Sequence, residues 1–301
     1  MTHAALPLQQ LCDAAVHAAL EAGQFVQSKH RTGLQRDFKD AGSSAASQLV
    51  TEVDVRSEEI IRECLQPGCR QWDIAFVGEE SSQNVPGVIA ERLLKPYHWC
   101  VDPLDGTLPF VEGRPGYAVS IALVDQSGVP LVGVVYDPVS ATLMHAIKGQ
   151  GAYRDHAPIT RATSASTSLM VFADASLRAR GDYADILDTL SQCAQDSGLD
   201  VVEMVYGSGA VKNACRVLDY PAACYVKLPR AEEGGGSIWD FAATACIVGE
   251  AGAWASNIRG EPLELNRSGS TFMNRQGVVY ASNERIAKFL IQACQERFPA
   301  G

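Results

Sequence analysis

Hydrophobic and polar positions alternate along this chain with two different periods, and each change of period marks a predicted element. Near the start, apolar side chains recur every three or four residues, which predicts an amphipathic helix over roughly residues 7–30. The polar, small-residue stretch 39–47 is typical of a loop or a hairpin tip. Helical spacing then returns, so a second helix is predicted from Asp54, as its N-cap, to about Leu65.

Short apolar runs separated by turn residues fill the middle of the chain and predict an antiparallel meander. These runs cover 118–124, 131–136 and 143–147. Farther on, strand-like and helix-like segments alternate, which indicates a sheet covered by helices. The predicted strands are 169–173, 201–205 and 223–227, and the predicted helices are 182–197 and 210–218. We therefore predict a mixed α/β fold in two domains, an α+β domain over 1–163 and an α/β domain over 164–301.

Composition narrows the classes of function. The 301 residues include 25 Lys and Arg against 35 Asp and Glu, a net charge of −10, which disfavours nucleic-acid polymers and membrane surfaces as partners. Nine scattered cysteines without a Cys-x-x-Cys pair are typical of a reducing cytoplasm. No apolar run reaches the ~18 residues of a membrane span, and the start lacks the features of a signal peptide. We expect a cytoplasmic protein and leave a homodimer open.

Candidate chemistry is densest where the apolar run 99–101 ends in Asp102, Asp105, Gly106 and Thr107. Two carboxylates on one turn can share hard divalent cations, which prefer oxygen ligands. Gly106 lets the backbone approach a ligand closely, and Thr107 adds a hydroxyl and an N–H group. The alternative is an ordinary β-turn at 103–106 with Asp102 as its cap, and this segment alone leaves both interpretations open.

Acids also lie at the ends of two other predicted elements. Glu79 and Glu80 follow the apolar stretch 74–77. Asp240 precedes an alanine-rich apolar run that predicts a buried helix, so it should lie near that helix's N-terminus. Each acid taken alone is more often a cap than a metal ligand. Together with Asp102, however, they form an ordered set of motifs.

These motifs resemble those of the inositol monophosphatase superfamily, the magnesium-dependent and lithium-sensitive phosphomonoesterases. The resemblance rests on Leu49-Val50-Thr51-Glu52-Val53-Asp54, Gly78-Glu79-Glu80, Asp102-Pro103-Leu104-Asp105-Gly106-Thr107 and Trp239-Asp240-Phe241-Ala242-Ala243. It implies a layered αβαβα sandwich of the sugar-phosphatase type, with the active site between the two predicted domains. It also implies a phosphoric monoester hydrolase that acts on a small phosphorylated metabolite.

The resemblance further implies a role for each acid. Two or three Mg²⁺ ions are expected as cofactors. Their implied ligands are Glu79, Asp102, the carbonyl of Leu104, Asp105 and Asp240, with Asp54 near a third ion. Thr107, paired with Asp54, would orient the attacking water, and Glu79 would act in the same catalytic group. The N–H groups of Gly106 and Thr107 would hold the phosphate.

The segments after residue 206 resemble most closely those of 3'(2'),5'-bisphosphate nucleotidases, in which they hold a second phosphate. The residues concerned are Ser208, Lys212 and Lys227. We therefore favour hydrolysis of adenosine 3',5'-bisphosphate to AMP. The alternative is an inositol monophosphatase, a class that has an acid near the position of Lys227; here Glu232 or Glu233 would bind the sugar hydroxyl. A non-enzymatic regulatory member of the family is a further alternative.

Overall fold

The computed structural model describes residues 5–32, 43–84, 86–162 and 164–297, and its strands form two sheets. The helices are α1 (Leu8–Thr32), α2 (Ser43–Trp72), α3 (Glu79–Asn84), α4 (Pro86–Leu94), α5 (Thr107–Val111), α6 (Tyr183–Asp196), α7 (Ala210–Arg216), α8 (Ile238–Glu250) and α9 (Glu284–Arg297). Short 3₁₀ segments cover Ala175–Ala179 and Val217–Asp219.

The first sheet contains seven strands that follow one another in chain order. They are β1 (Ile74–Gly78), β2 (Tyr97–Asp105), β3 (Ala118–Asp125), β4 (Pro130–Asp137), β5 (Thr142–Ile147), β6 (Ala152–Arg154) and β7 (Ala157–Pro158). β1 runs parallel to β2, and the other pairs are antiparallel, so the predicted meander is confirmed as β3, β4 and β5. β1 is buried along its whole length because helices cover both faces of this sheet, as its continuous apolar run requires.

The second sheet contains five strands in the order β11-β12-β10-β8-β9. They are β8 (Ser168–Ala173), β9 (Val201–Tyr206), β10 (Ala223–Lys227), β11 (Trp254–Ser256) and β12 (Val278–Ala281). β8 pairs in parallel with β9 and with β10, whereas β12 is antiparallel to its two neighbours. The alternation of strands and helices predicted for this part of the chain is confirmed.

Three hydrophobic clusters stack the elements into five layers. On the outer face of the first sheet, α1 and α2 pack through Leu11 and Ile61 against strand residues such as Ile121. Between the sheets, α7 and α8 contact both of them, and Phe241 shares its cluster with residues of β3 and β12. On the far side, α6 and α9 cover the second sheet, with Leu190 and Leu290 buried there. This order confirms the mixed α/β fold that the sequence pattern predicts and the αβαβα sandwich that the resemblance implies.

The second helix is longer than predicted. It begins at Ser43, so Asp54 lies inside α2 and the expectation that Asp54 is its N-cap is wrong. Tertiary packing extends the helix, because Val53 is buried in one cluster with Leu104. Of the predicted loop 39–47, residues 43–47 are helical and 39–42 lie outside the described residues.

The division into two domains near residue 163 stays a prediction. Strands of the first sheet end at Pro158 and those of the second begin at Ser168, but α8 packs on strands of the first sheet. Among the helices of the described ranges, none combines the length and apolar character that crossing a membrane requires.

Candidate active site

Asp102 and Asp105 lie at the C-terminal end of β2, and both side chains are buried. The pairing with β3 moves from Asp102–Ser120 to Asp105–Ala118, so β2 has one extra residue and forms a bulge. A bulge re-aims side chains that otherwise alternate between the two faces of a sheet. Two carboxylates three positions apart can therefore reach the same space. The alternative of an ordinary β-turn at 103–106 is wrong, since residues 102–105 belong to the strand.

Asp240 reaches the same space from the first turn of α8. Its Oδ2 atom accepts the N–H of Ser237 at 2.5 Å and forms a capping box with that residue. The predicted position near a helix N-terminus is confirmed. Asp102, Asp105 and Asp240 each offer a carboxylate oxygen within 4.8 Å of the oxygens of the other two. Three of the predicted metal ligands thus meet between the two sheets.

Asp105 is held by the N-terminus of α7. Its Oδ1 accepts the N–H of Ala210 and its Oδ2 accepts the N–H of Val211, each at 2.9 Å. Asp102 is held more locally, because its Oδ1 accepts the N–H of Leu104 at 3.0 Å. A carboxylate has about four lone-pair sites, so these bonds fix its orientation and leave capacity for a cation.

Glu79 is the first residue of α3 and follows β1 directly. The start of α3 is held by Glu58 of α2, whose Oε2 accepts the N–H of Glu80 at 2.8 Å and whose Oε1 accepts the N–H of Ser81 at 3.2 Å. Glu58 is buried, so these charge-assisted bonds are shielded from water. The position of Glu79 therefore depends on a carboxylate of α2, the helix that precedes β1.

Burial and like charge dominate the electrostatics of these acids. Burial, followed by the charges of Asp240 and Glu80, raises the pKa of Glu79 to about 8. Burial and Asp240 likewise raise the pKa of Asp105 to about 8, although backbone N–H donors act against this shift. Burial and the charge of Glu79 raise the pKa of Asp102 well above its usual range. Cations beside the cluster would offset this repulsion and favour the ionised carboxylates.

Asp54 borders this cluster from α2. Its Oδ1 is buried and has no hydrogen-bond partner within the described part of the chain. Burial and then the charge of Glu80 raise the pKa of Asp54 to about 8, and its own charge acts on Glu79. Thr107 opens α5 and is exposed, and over the described ranges it makes no hydrogen bond with Asp54. The structure brings Asp54 to the acids but does not form the predicted pair with Thr107.

A cavity of about 340 Å³ opens beside the acids. Five of the predicted site residues line it: Asp105, Gly106, Ser208, Lys227 and Asp240. Gly106 has φ of 89° and precedes α5, so the turn that carries its N–H group uses the left-handed region that glycine favours. The walls come from both halves of the chain, as the sequence predicts for the site.

Lys212 and Glu233 are not among the residues that line this cavity. The ammonium group of Lys212 pairs with the carboxylate of Asp137 at the end of β4, and this pair is largely buried. The resemblance implies that Lys212 and Lys227 hold the same phosphate, and this expectation is wrong because Lys212 pairs with Asp137 instead. The side chain of Glu233 is exposed, and its carbonyl accepts a bond from Arg230 at 2.9 Å.

Lys227 enters the cavity with a partner that sequence reasoning missed. Its Nζ lies 3.0 Å from Oδ2 of Asp174. Oδ1 of Asp174 accepts the hydroxyl of Tyr225 at 3.0 Å and an amide N–H of Asn213 at 3.3 Å. The nearby acids raise the pKa of Lys227 against the opposing effect of burial, with Asp174 the largest of them, so its charge is retained.

Sequence analysis did not identify three residues of the site, and only some of them carry a recognisable signal in the sequence. Asp174 directly follows the apolar strand 168–173, which is the same signal that marked Glu79 after β1. Arg114 also lines the cavity, where its guanidinium donates to the carbonyl of Gly207 at 2.5 Å. Glu58 carries no comparable signal, since it lies in mid-helix among other charged residues.

The donor set fits hard divalent cations such as Mg²⁺. The ligands that meet here are carboxylate oxygens, the class that Mg²⁺, Ca²⁺ and Mn²⁺ prefer, and the mutual repulsion of the acids calls for positive charge. The buried Oδ1 of Asp54, which has no hydrogen-bond partner among the described residues, is a further oxygen that could bind a cation. An αβαβα sandwich with such a cluster beside a cavity defines the class of metal-dependent α/β enzymes.

Comparison with known proteins identifies the class more closely. The model of the inositol monophosphatase family matches residues 7–297. An inositol-1-monophosphatase of Synechocystis is 32% identical over 290 residues, which cover 95% of this chain and 89% of that protein. The Nus factor SuhB of Salmonella typhimurium is 30% identical over 285 residues, 92% of each protein.

A solved inositol monophosphatase from Anabaena has the same fold. It superposes with a TM-score of 0.69 at 24% identity and covers 96% of both chains. The chain belongs to the inositol monophosphatase family, and it is a phosphoric monoester hydrolase.

Proposed function

We propose that this phosphatase hydrolyses a small phosphorylated metabolite with two or three Mg²⁺ ions as cofactors. The observation that carries this proposal is the meeting of Asp102, Asp105 and Asp240, whose oxygens lie within 4.8 Å of one another beside the cavity. Glu79 and Asp54 add two further acids at the edge of the cluster. Such a density of buried like charge is costly unless cations balance it.

The ions would be held by Glu79, Asp102, Asp105, Asp240 and the carbonyl of Leu104, with Asp54 toward a third. When bound, Mg²⁺ would neutralise charge that develops on the phosphoryl group and acidify a water molecule. The N–H groups of Gly106 and Thr107, at the start of α5, are proposed to hold the phosphate. Thr107 is proposed to orient the attacking water and to accept or relay its proton, with Glu79 and Asp54 in the same catalytic group.

For the substrate we favour a 3'(2'),5'-bisphosphate nucleotide such as adenosine 3',5'-bisphosphate. Lys227 supports this choice, because it lines the cavity near Asp240 and Asp105 and remains positively charged. A positive charge there can pair with a second phosphate. Lys212 no longer supports it, since it pairs with Asp137. The alternative, an inositol monophosphatase, is favoured by the names of relatives at 30–32% identity.

The decisive experiment is a screen of phosphate release with Mg²⁺. The substrates are adenosine 3',5'-bisphosphate, inositol 1-phosphate, fructose 1,6-bisphosphate and histidinol phosphate, with Asp105→Asn as the matched inactive control. Highest kcat/KM on the nucleotide supports the proposal, whereas highest kcat/KM on inositol 1-phosphate selects the alternative. Absence of metal-dependent release from all four, with folded protein, would favour a regulatory role, which one relative's name, Nus factor, suggests for that protein.

We also propose a cytoplasmic location. All nine cysteines lie within the described residues, and each is free. Seven of them are buried, and burial raises the thiol pKa of Cys12 and Cys193 to about 12, which keeps them protonated and unreactive. Free, unpaired thiols in this number are typical of reducing compartments.

A further inference from the structure

A second, smaller cavity of about 110 Å³ adjoins the first. The two share four wall residues, Asp174, Ser176, Lys227 and Gly235, so they are parts of one continuous space. The second cavity lies on the side away from Asp105 and Asp240, which line only the first. A substrate whose phosphate meets the acids could extend into it.

Three cations and one acid, Asp174, line this second cavity. Lys227, Arg180 and Arg230 all line it. Lys227 pairs with Asp174, and Arg180 pairs with Asp182 through bonds of 2.8 and 2.7 Å. The guanidinium of Arg230 donates only to the carbonyl of Glu233, and over the described ranges it has no carboxylate partner. Its full charge is therefore available to a ligand.

A run of three glycines, Gly234-Gly235-Gly236, lies directly against these cations. Their φ angles are 113°, 76° and 110°, all in the region that favours glycine. An added Cβ would lie 2.3 Å from Nη2 of Arg230 at Gly234 and 2.9 Å from Nζ of Lys227 at Gly236. Within the described residues, none of the three N–H groups donates a hydrogen bond. Backbone N–H groups with no partner among the described residues, beside a guanidinium that has no acid partner there, suit the binding of an anion.

We propose that this second cavity binds a second phosphate of the substrate, and that Arg230 determines the preference for bisphosphates. The inference rests on the proposed function and deepens it, because it gives the second phosphate a place that Lys212 does not provide. In a chain of net charge −10, such a group needs a local cation. Of the three cations that line this cavity, Arg230 is the one with no carboxylate partner among the described residues. The three glycines let the backbone close around the phosphate where any side chain would collide.

The test compares substrates that differ only in the second phosphate. The pairs are adenosine 3',5'-bisphosphate with adenosine 3'-monophosphate, and fructose 1,6-bisphosphate with fructose 1-phosphate. The wild type should prefer the bisphosphate of at least one pair by about tenfold or more in kcat/KM, the usual scale of a bond to a charged group. Arg230→Gln should remove most of that preference, because kcat/KM should fall much more for the bisphosphate than for the monophosphate.

Two control variants show whether a loss of preference comes from the second cavity or from removing any arginine or substituting any glycine. Arg259→Gln removes another exposed arginine, which follows β11, and should keep the preference. Gly234→Ala should act like Arg230→Gln by displacing the guanidinium. Gly198→Ala also places alanine at a positive φ, 74°, but with nothing within 4 Å of the new Cβ, so it should keep the preference. Thermal melting of each variant identifies any that fails to fold.

A binding measurement distinguishes the two proposals. Kd for the same ligand pairs is measured by calorimetry on Asp105→Asn protein, with and without Arg230→Gln. If the wild type releases no phosphate but the bisphosphate still binds tighter through Arg230, the proposed function fails and the subsite stands. If neither kcat/KM nor Kd prefers a bisphosphate, or if the preference survives Arg230→Gln, the subsite is refuted.

Discussion

Gly78 is the position where one methyl group should have the largest effect on the acids. It ends β1, directly before Glu79, and its backbone lies outside the left-handed region, so alanine is compatible with its conformation. A Cβ added there would lie 2.2 Å from Oε2 and 2.3 Å from Cδ of Glu58. Since Glu58 is buried, it cannot swing into solvent, and its carboxylate must retreat by about 1 Å to reach ordinary contact.

The retreat breaks the bonds that hold the first turn of α3. The bond from the N–H of Glu80 to Glu58 is 2.8 Å long and that from Ser81 is 3.2 Å, so a shift of this size takes both beyond bonding distance. A hydrogen bond to a charged group contributes about 1.5–3 kcal/mol. The buried acid would keep only its ion pair with Arg62, whose Nη2 lies 3.3 Å from Oε1. We expect Gly78→Ala to lower the free energy of unfolding by about 2–4 kcal/mol.

The same shift should impair catalysis, because Glu79 is carried by that turn. Misplacement by about 1 Å costs on the order of a hundredfold in rate. We expect kcat/KM for phosphate release to fall by about that factor and the Mg²⁺ concentration for half-maximal activity to rise. The assays are urea unfolding followed by circular dichroism and phosphate release at increasing Mg²⁺.

Gly87→Ala is the matched control, since Gly87 lies nearby in α4 with nothing within 4 Å of the added Cβ. It should raise stability by up to about 1 kcal/mol through helix propensity and leave kcat/KM unchanged. If Gly78→Ala retains wild-type stability and wild-type kcat/KM, the role assigned to Glu58 in placing Glu79 is incorrect.

Three further predictions concern the acids and their cations. Asp105→Asn should lower kcat by about two or more orders of magnitude without unfolding the protein, as steady-state kinetics and circular dichroism can test; near-normal kcat at saturating Mg²⁺ would contradict it. Exhaustive chelation should abolish activity and Mg²⁺ restore it, while Li⁺ should inhibit; full activity after chelation would overturn the metal assignment. Burial raises the pKa of Asp54, Glu79 and Asp105 from about 4 to about 8, so the folded chain binds more protons than the unfolded chain between these pH values. The melting temperature of the metal-free protein should therefore fall as the pH rises from about 4 to about 8, and Mg²⁺ should reduce this loss.

The sequence predicts best what local patterns determine. The strands of the meander were recognisable because short apolar runs alternate with turn residues, and the helix that carries Asp240 because an alanine-rich run follows an acid. The start of α2 was not recognisable. Its first residues are small and polar, and the helix there is supported by contacts such as that of Val53 with the cluster around Leu104, which local propensity does not contain.

Side-chain partners were the least predictable part of the candidate site. Lys212 sits on α7, next to the bonds that hold Asp105, yet its charge pairs with Asp137 because β4 brings that acid closer. Asp174 was overlooked although it follows a strand, since its role depends on Lys227, far away in the chain. Such pairs are set by the packing of the two sheets against α7 and α8, and no spacing in the sequence encodes them.

The acids are fixed before any cation arrives, and this has a consequence for metal binding. Backbone N–H groups hold Asp105, Asp102 and Asp240 in place, so ordering these side chains costs little when an ion binds. The repulsion among these buried like charges instead lowers the free energy of unfolding of the metal-free protein. Neutralising that repulsion stabilises the folded chain, so Mg²⁺ binding and folding stability should be coupled, each increasing with the other. Loss of one N–H donor would therefore weaken metal binding even though every ligand remained.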